Sequence, residues 1–227
     1  MNKVKEKLKL TVRGTLEKPI LEGNATLNNA IFSAQALPEK LTNVTGEIKF
    51  NFDKIVVENL QGNFSKGKLV AQGQIPVYDD QFIQIENPLS VTLDKLAVNL
   101  KGLYQGGVAG NVMIKGSALN PVISGNVNLD NGLVLLPEND TNTTIVSSKE
   151  IERVKAAKQM NNNENTRGKF NDLQLTLGKK VKVERPPIIS IEATGNLNVN
   201  GTFSNPVPVG TLKLKKEEST YLLLSLI

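Results

Sequence analysis

The chain has 227 residues, of which 39% are hydrophobic and 4% aromatic, and its formal net charge is +5. It contains no cysteine and no histidine, which argues against disulfides, thiol chemistry, zinc sites and Ser-His-Asp triads. Aromatic side chains are too scarce for the stacking platforms that single-stranded nucleic acids and sugars usually require. The lysines are scattered, which indicates a solvated outer face; a weak preference for anionic lipid surfaces is the minority interpretation.

The N-terminus, Met1–Lys7, is charged but has no apolar core after it, so it is not a signal peptide. No stretch approaches the roughly 18 apolar residues that a membrane-spanning helix needs. We therefore expect that any targeting signal lies outside this chain.

Alternation of apolar and polar residues is the main signal along the chain. Alternate side chains of a strand point to opposite faces, so each segment predicts one aliphatic face and one face of Lys, Thr and Asn. Strands of about 6 to 10 residues are expected. Asn131-Gly132 and Gly106-Gly107 are interpreted as turns between them. The alternating segments are 8–13, 47–52, 91–93, 96–100, 126–129, 173–177, 189–191, 197–199 and 211–214.

A polar stretch from Glu138 to Asn165 interrupts this pattern. Within it, Ser147–Glu150 predicts an N-cap, and Ile151, Val154 and Met160 suit one short helix. A disordered linker is favoured over a lid, because long loops without regular structure are often linkers. The predicted organisation is a β-groove segment at 1–137, a polar insertion at 138–168 and a β-groove continuation at 169–227.

One pattern, G-x4-P-x3-G followed by an alternating strand, occurs three times. Each copy predicts a hairpin in which one strand ends at the first glycine, the chain turns before proline and the next strand leaves past the second glycine. Repetition at one internal spacing indicates an extended architecture that grows by one unit at a time. The predicted structural turns are Gly14, Pro19, Gly23, Gly116, Pro121, Gly125, Gly201, Pro206 and Gly210.

A sheet with one aliphatic face must cover that face. The predicted helix is too short to do so, which leaves a closed sandwich or barrel, or a sheet curled into an open trough. Repeat architectures propagate rather than close, so we predict an all-β fold: a long antiparallel sheet curled into an open hydrophobic trough, with one short helix in the polar insertion. A filled sandwich core remains the alternative.

Two pairs of adjacent carboxylates, Asp79-Asp80 and Glu217-Glu218, are the nearest approach to a catalytic motif. Neighbouring residues of an extended chain point apart, and the sequence shows no basic or metal-binding companion for either pair. We therefore expect no enzyme activity, no metal and no cofactor.

The repeats, together with Leu41–Phe50, Leu60–Gly62 and Gly67–Leu69, resemble the C-terminal domain of the TamB family of envelope proteins. Phe170–Gly178 and Ala193–Gly195 look most like the cyanobacterial and chloroplast branch of that family. The resemblance covers nearly the whole chain outside the polar insertion.

This resemblance implies a relation to AsmA-like bridge lipid-transfer proteins, whose curled sheet forms a hydrophobic groove between two membranes. It implies phospholipid as ligand, an Omp85-family outer-membrane barrel as partner and a role in outer-membrane protein assembly or secretion. It also implies a periplasmic or cell-envelope location and an inner-membrane anchor helix, which this chain lacks, so the chain is expected to be a fragment. After Leu214 the sequence departs from the family pattern, which predicts a truncated C-terminal end.

The predicted ligand of the trough is the acyl chain of phospholipid, bound in proportion to the apolar area that it buries. Nucleic acid is not expected as a partner. A charge in place of a lining residue, as in Leu129→Asp or Leu175→Asp, is expected to block lipid passage more than it lowers stability. The rival function is a structural module whose sheet edges add a strand from an unfolded outer-membrane protein. The predicted lining residues are Leu8, Leu10, Val12, Ile48, Phe50, Val91, Leu93, Val127, Leu129, Leu173, Leu175, Leu177, Leu197, Val199, Leu212 and Leu214.

Overall fold

The computed structural model describes residues 7–33, 39–80, 82–100, 104–135, 168–185, 189–215 and 221–226. These residues form one twelve-stranded sheet, and no helix occurs within them. The strands are β1 (Lys7–Gly14), β2 (Pro19–Phe32), β3 (Leu41–Phe52), β4 (Lys54–Phe64), β5 (Gly67–Pro76), β6 (Leu89–Leu100), β7 (Tyr104–Gly116), β8 (Pro121–Leu135), β9 (Lys169–Arg185), β10 (Ile189–Thr202), β11 (Asn205–Lys215) and β12 (Tyr221–Leu226). The predicted helix lies outside the described residues.

The strands lie in the sheet in the same order as in the sequence, and neighbours are antiparallel with one exception. β8 and β9 are parallel, with Val122 opposite Lys169 and Leu135 opposite Glu184. The expectation of a wholly antiparallel sheet was wrong at this junction. A parallel pair cannot be joined by a tight turn and needs a connection of a dozen residues or more. The polar insertion predicted at 138–168 lies between these two strands in the sequence, and all of it except Gly168 is outside the described residues.

The three repeats form hairpins at β1–β2, β7–β8 and β10–β11. Gly14 pairs with Pro19, Gly116 with Pro121 and, in the third copy, Gly201 with Pro206. The first glycine of each copy has a positive φ, +86° at Gly14, which a residue with a Cβ rarely adopts. The second glycines, however, lie inside the following strands rather than at the turns. That part of the prediction was wrong for three residues: Gly23, Gly125 and Gly210.

β-Bulges make the strands longer than predicted. In β6, the register shifts between Leu93 and Leu96, and Lys95 has a φ of +51°, so 91–93 and 96–100 belong to one strand. An extra residue in a bulge returns the next apolar side chain to the face of the previous one. Asn131-Gly132 and Gly106-Gly107, predicted as turns, lie within β8 and β7 at such shifts. The interpretation of both pairs as turns was wrong.

The cross-strand pairs place the predicted lining residues on a single face of the sheet. Paired residues share a face, and one row runs through Leu8, Ala25, Ile48, Val57 and Gly73. A second row runs from β5 to β11 through Leu69, Leu93, Gly110, Val127, Leu175, Leu197 and Gly210. Gly73 and Leu69 are four residues apart in β5, so both rows lie on the same side. We call this side the lining face.

The sheet is curled and open. β1 and β12 are its two edges and do not pair with each other. Some Cα atoms of β5 and β7 lie within 8 Å of each other although β6 separates the two strands in the order. In a flat sheet they would be about 9.6 Å apart, twice the usual interstrand spacing. The trough prediction is confirmed, and the alternative of a closed sandwich is not.

Candidate functional site

The predicted lining residues differ widely in exposure. Those of β1 are open to solvent, with Leu8 67% and Val12 61% exposed. Those of β3 and β6, together with Leu175 and Leu214, are half-buried. The remaining ones are buried: Val127, Leu129, Leu173, Leu177, Leu197, Val199 and Leu212. The lining face therefore has an open side at the N-terminal strands and a packed side at the C-terminal strands.

The packed side is one hydrophobic cluster formed by β8 to β11 with Tyr104 of β7, and we call it the packed region. Leu177 and Leu212 are only 3% and 2% exposed. The Tyr104 hydroxyl donates to the carbonyl of Gly107 at 2.8 Å and also lies 3.2 Å from the carbonyl oxygen of Asp130. Burial, reinforced by the negative charge of Asp130, raises the pKa of Tyr104 to about 12. The Tyr104 phenol therefore stays neutral, and its hydroxyl has hydrogen-bond partners although the ring is buried.

Glycines on the lining face bring the strands of the packed region close together. Gly195 lies between Leu177 of β9 and Leu212 of β11, and its φ is +148°. A Cβ atom there would lie 2.2 Å from the carbonyl oxygen of Thr211, so no other residue fits without moving a strand. Glycines within strands allow sharp local bending, and large neighbours cover the gap they leave. Gly195 therefore allows β9, β10 and β11 to approach closely where Leu177 and Leu212 are buried.

The open side, which we call the open region, consists of the lining face of β1 and of the parts of β2 and β3 nearest the turns. Val12 pairs with Leu21, and Leu21 pairs with Phe52 of β3. Phe52, which sequence reasoning did not include, is 55% exposed and extends the apolar surface to the turn end of the sheet. Within the described residues no second layer covers these side chains. A contiguous exposed apolar surface of this kind usually marks an interaction site.

Turns at one end of the sheet are tied to one another, and we call this end the turn end. The backbone N–H of Val77 donates to the carbonyl of Asp53, and that of Ala118 donates to the carbonyl of Pro76, both at 2.7 Å. Lys18, in the β1–β2 turn, forms an ion pair with Asp80 at 3.4 Å. These contacts hold the turns before β2, β4, β6 and β8 in one group.

The Lys18–Asp80 pair corrects one expectation, since Asp79-Asp80 was expected to have no basic companion. A hydrogen bond from the backbone N–H of Phe82, and then Lys18, lower the pKa of Asp80 below its usual range. Asp79 accepts a hydrogen bond from the Asn120 side chain at 2.6 Å. Both carboxylates thus have structural partners. Glu217-Glu218 lies outside the described residues.

The opposite face of the sheet is mainly polar and is solvated. Its one ion pair among the described residues joins Lys49 and Glu58 at 2.8 Å, and both side chains are exposed. The hydrogen bond and the charge of Glu58 raise the pKa of Lys49. Exposed pairs of this kind contribute little to stability. No group of three or more acidic, histidine or cysteine side chains that would suit a metal ion occurs in the part of the chain that the structure describes.

Comparison with protein families gives a match to the TamB C-terminal domain over residues 58–225. The chain belongs to the TamB family. This family is a transport and assembly module rather than a known family of enzymes. No solved structure matches the chain. Within the described residues, no helix is both long and apolar enough to cross a membrane.

Two curated relatives are plant chloroplast proteins, which agrees with the cyanobacterial and chloroplast branch of the family. Protein SUBSTANDARD STARCH GRAIN 4, chloroplastic, of Oryza sativa subsp. japonica is 22% identical over 85% of this chain and 11% of its own length. Protein TIC236, chloroplastic, of Arabidopsis thaliana is 31% identical over 57% of this chain and 6% of its own length. The TamB-like chain thus spans about a tenth or less of the relatives it matches.

Proposed function

We propose that this TamB-like domain is a segment of an envelope protein whose lining face carries phospholipid between an inner and an outer membrane. The observation that supports it best is the continuity of one apolar face across the sheet, which is most exposed at β1. A periplasmic location, an inner-membrane anchor elsewhere in the protein and an Omp85-family barrel as outer-membrane partner complete the proposal. The same proposal includes a supporting role for this protein in outer-membrane protein assembly or secretion.

The lining face suits acyl chains because it offers apolar area without fixed polar groups. Strands of 8 to 17 residues in β1 to β11 measure roughly 26 to 56 Å, at about 3.3 Å per residue. An acyl chain lying along such a face gains about 25 cal/mol for each Å² of apolar surface that leaves water. Binding of this type depends on area, so headgroup identity has little influence and no single residue is indispensable.

The open region is where a lipid binds first. There Leu8, Leu10 and Val12 are available without any rearrangement, whereas the packed region is already filled by its own side chains. A lipid reaches the packed region only if β9 to β11 separate from their neighbours. Lipid therefore loads at only some of the residues that the sequence predicts as lining.

The test is mass spectrometry of organic extracts from the protein purified without detergent. We expect one or more phospholipids per chain, and a severalfold lower load for Leu10→Asp and for Val12→Asp. The matched control is Thr11→Asp, which adds the same charge to the same strand on the polar face. A lipid-free protein, or equal losses in Thr11→Asp and Leu10→Asp, would contradict the proposal.

A second candidate function rests on β1, whose outer edge has no strand partner among the described residues. Edge strands accept an added strand through backbone hydrogen bonds. A client such as an unfolded outer-membrane protein would bind there whatever the side chains of the lining face. Client binding that survives Leu10→Asp while lipid load does not would separate this function from lipid transport.

A further inference from the structure

Two large apolar side chains at the turn end are more exposed than any strand side chain whose burial the structure describes. Leu16, in the β1–β2 turn, is 95% exposed, and Phe82, in the β5–β6 loop, is 82% exposed. We call Leu16 and Phe82 the tip pair. Single exposed apolar residues are common and need no explanation, so the argument depends on whether these two act together.

The contacts around the tip pair hold its two turns side by side. Lys18, two residues after Leu16, forms the ion pair with Asp80, two residues before Phe82. The Asp80 carboxylate also accepts a hydrogen bond from the backbone N–H of Phe82 at 3.0 Å. Lys18 Nζ lies 5.8 Å from the ring centre of Tyr78, which further fixes the turn. Two strands separate these turns in the sheet order, yet this ion pair holds them together at the turn end.

The tip pair also continues the apolar surface of the open region. Leu8, Leu10 and Val12 run along β1 toward the β1–β2 turn, and Phe52 lies beside Val12 by way of Leu21. All four of these lining-face side chains are exposed, as is the tip pair that follows them. The exposed apolar side chains of β1 and β3 therefore extend toward the turn end, where the tip pair stands among charged side chains.

We propose that the tip pair inserts into the interfacial layer of a lipid bilayer and so joins the open region to the membrane's hydrocarbon. This inference rests on the proposed lipid function and names the surface at which the lipid enters or leaves. A bilayer is favoured as the partner because the tips are aliphatic and aromatic and stand at the end of an acyl-binding surface. Protein partners would have no need of that continuity.

The charges of the tip decide which bilayer it contacts. The two turns, 15–18 and 77–88, carry four carboxylates, those of Glu17, Asp79, Asp80 and Glu86, against one ammonium, that of Lys18. An acidic tip is repelled by anionic headgroups, so the contact is with zwitterionic lipid and depends little on salt. Binding through the scattered lysines of the polar face would show the opposite dependence.

The test is flotation of the full chain with phosphatidylcholine vesicles, with and without anionic lipid. We expect the wild type to float with zwitterionic vesicles at low and high salt, and the double variant Leu16→Ser with Phe82→Ser to bind at least tenfold more weakly. Each apolar side chain that inserts contributes about a factor of ten or more in partitioning. The matched control is Ile31→Ser, an exposed aliphatic residue near the opposite end of β2, which should bind as the wild type does.

Two measurements separate this inference from the proposed function. The double tip variant should keep its co-purified lipid, and Leu10→Asp should keep its vesicle binding. Failure of the wild type to float, unchanged binding by the double variant, or binding that needs anionic lipid and disappears in salt would each overturn the tip proposal. Loss of lipid in purified wild type, with tip-dependent flotation intact, would count against the proposed function alone. Unchanged circular dichroism and Tm in the tip variants confirm that the fold is retained.

Discussion

The packed region and the open region have the same sequence pattern and opposite environments. Both consist of strands with alternating aliphatic and polar residues, and their aliphatic side chains lie on the same face of one sheet. In β8 to β11 the aliphatic side chains are buried against one another, for example Leu177 and Leu212 on either side of Gly195. In β1 the aliphatic residues remain in water. Alternation thus determines which face is apolar, whereas the curl determines whether that face forms a core or a binding surface.

The largest expected difference between the two regions is the effect of a buried charge. Leu177→Asp places a carboxylate with no partner in the packed region, and we expect a loss of about 4 kcal/mol or more in the free energy of unfolding. Leu10→Asp, in the open region, should cost less than about 1 kcal/mol because its carboxylate stays hydrated. Urea unfolding followed by circular dichroism measures both variants, and similar losses in the two would show that the regions do not differ.

This expectation revises one made from the sequence. Leu129→Asp was expected to affect lipid passage more than stability, but Leu129 is buried in the packed region. A charge at Leu129 is now expected to act mainly on stability. Leu175 is half-buried, so Leu175→Asp should cause a loss of stability between those of Leu10→Asp and Leu177→Asp.

Glycine replacements probe the curl itself. Gly195→Ala should cost about 2 to 3 kcal/mol, because its φ is unfavourable for alanine and strands on both sides prevent relief. Gly23 is equally crowded, with a Cβ position 1.9 Å from the carbonyl oxygen of Lys9, but its neighbour β1 is an edge strand that is free to shift. Gly23 has the same unfavourable φ, +149°, so Gly23→Ala should still be destabilising, but by about 1 kcal/mol less than Gly195→Ala. Thermal unfolding of the two variants tests this order; a larger loss at Gly23 would contradict it.

Alkaline pH should weaken the packed region through Tyr104. Its pKa is raised from 10.0 to about 12, so the folded state favours the neutral phenol. The stabilisation is complete below the unfolded pKa and is lost as pH rises from about 10 to about 12. Tyr104→Phe should cost about 1 kcal/mol at neutral pH for the lost hydrogen bonds and should remove this part of the alkaline dependence. If the free energy of unfolding changed with pH in the same way for the wild type and Tyr104→Phe between pH 8 and 12, Tyr104 would not be the source of this dependence.

The smallest expected effect concerns the bulges. Lys180, beside the packed region, has a φ of +56°, and Lys180→Gly should stabilise the chain by about 0.5 to 1 kcal/mol. Asn29 has a φ of +61° in the bulge of β2, and Asn tolerates this conformation, so Asn29→Gly should be nearly neutral. Chemical denaturation resolves the difference, and a destabilised Lys180→Gly would show that the lysine side chain has another role.

Most of the fold was predictable because side-chain alternation has a period of two and survives in every region. The hairpin at Gly14 to Pro19 and its two counterparts were also predictable, because glycine permits a positive φ where one strand ends and proline fixes φ where the next begins. The bulges were missed because an apolar residue three positions after another, as at Leu93 and Leu96, breaks the simple period. The signal that would have found the bulges is two polar residues between the two apolar ones, with Asn, Asp or Lys as the second polar residue.

The candidate site was only partly predictable. Alternation shows which side chains share a face, but it carries no information about depth, so Leu8 and Leu212 look alike in sequence. Depth depends on how the strands pack against one another, as where Gly195 lies between Leu177 and Leu212. Leu16 and Phe82 were missed for a different reason: they lie in turns, where no period exists, and only the Lys18–Asp80 contact brings their turns together.

The parallel junction between β8 and β9 has a consequence for how the chain folds. Every other neighbouring pair of strands is joined locally, so β1 to β8 and β9 to β12 can each grow as a succession of hairpins. Pairing β8 with β9 closes a loop of roughly 30 residues, which costs about 2 kcal/mol more in entropy than closing a tight turn. We expect this step to come last and to set the folding rate, with the two halves meeting as preformed units. A lengthened insertion would slow it only slightly, because the cost of closure grows with the logarithm of loop length.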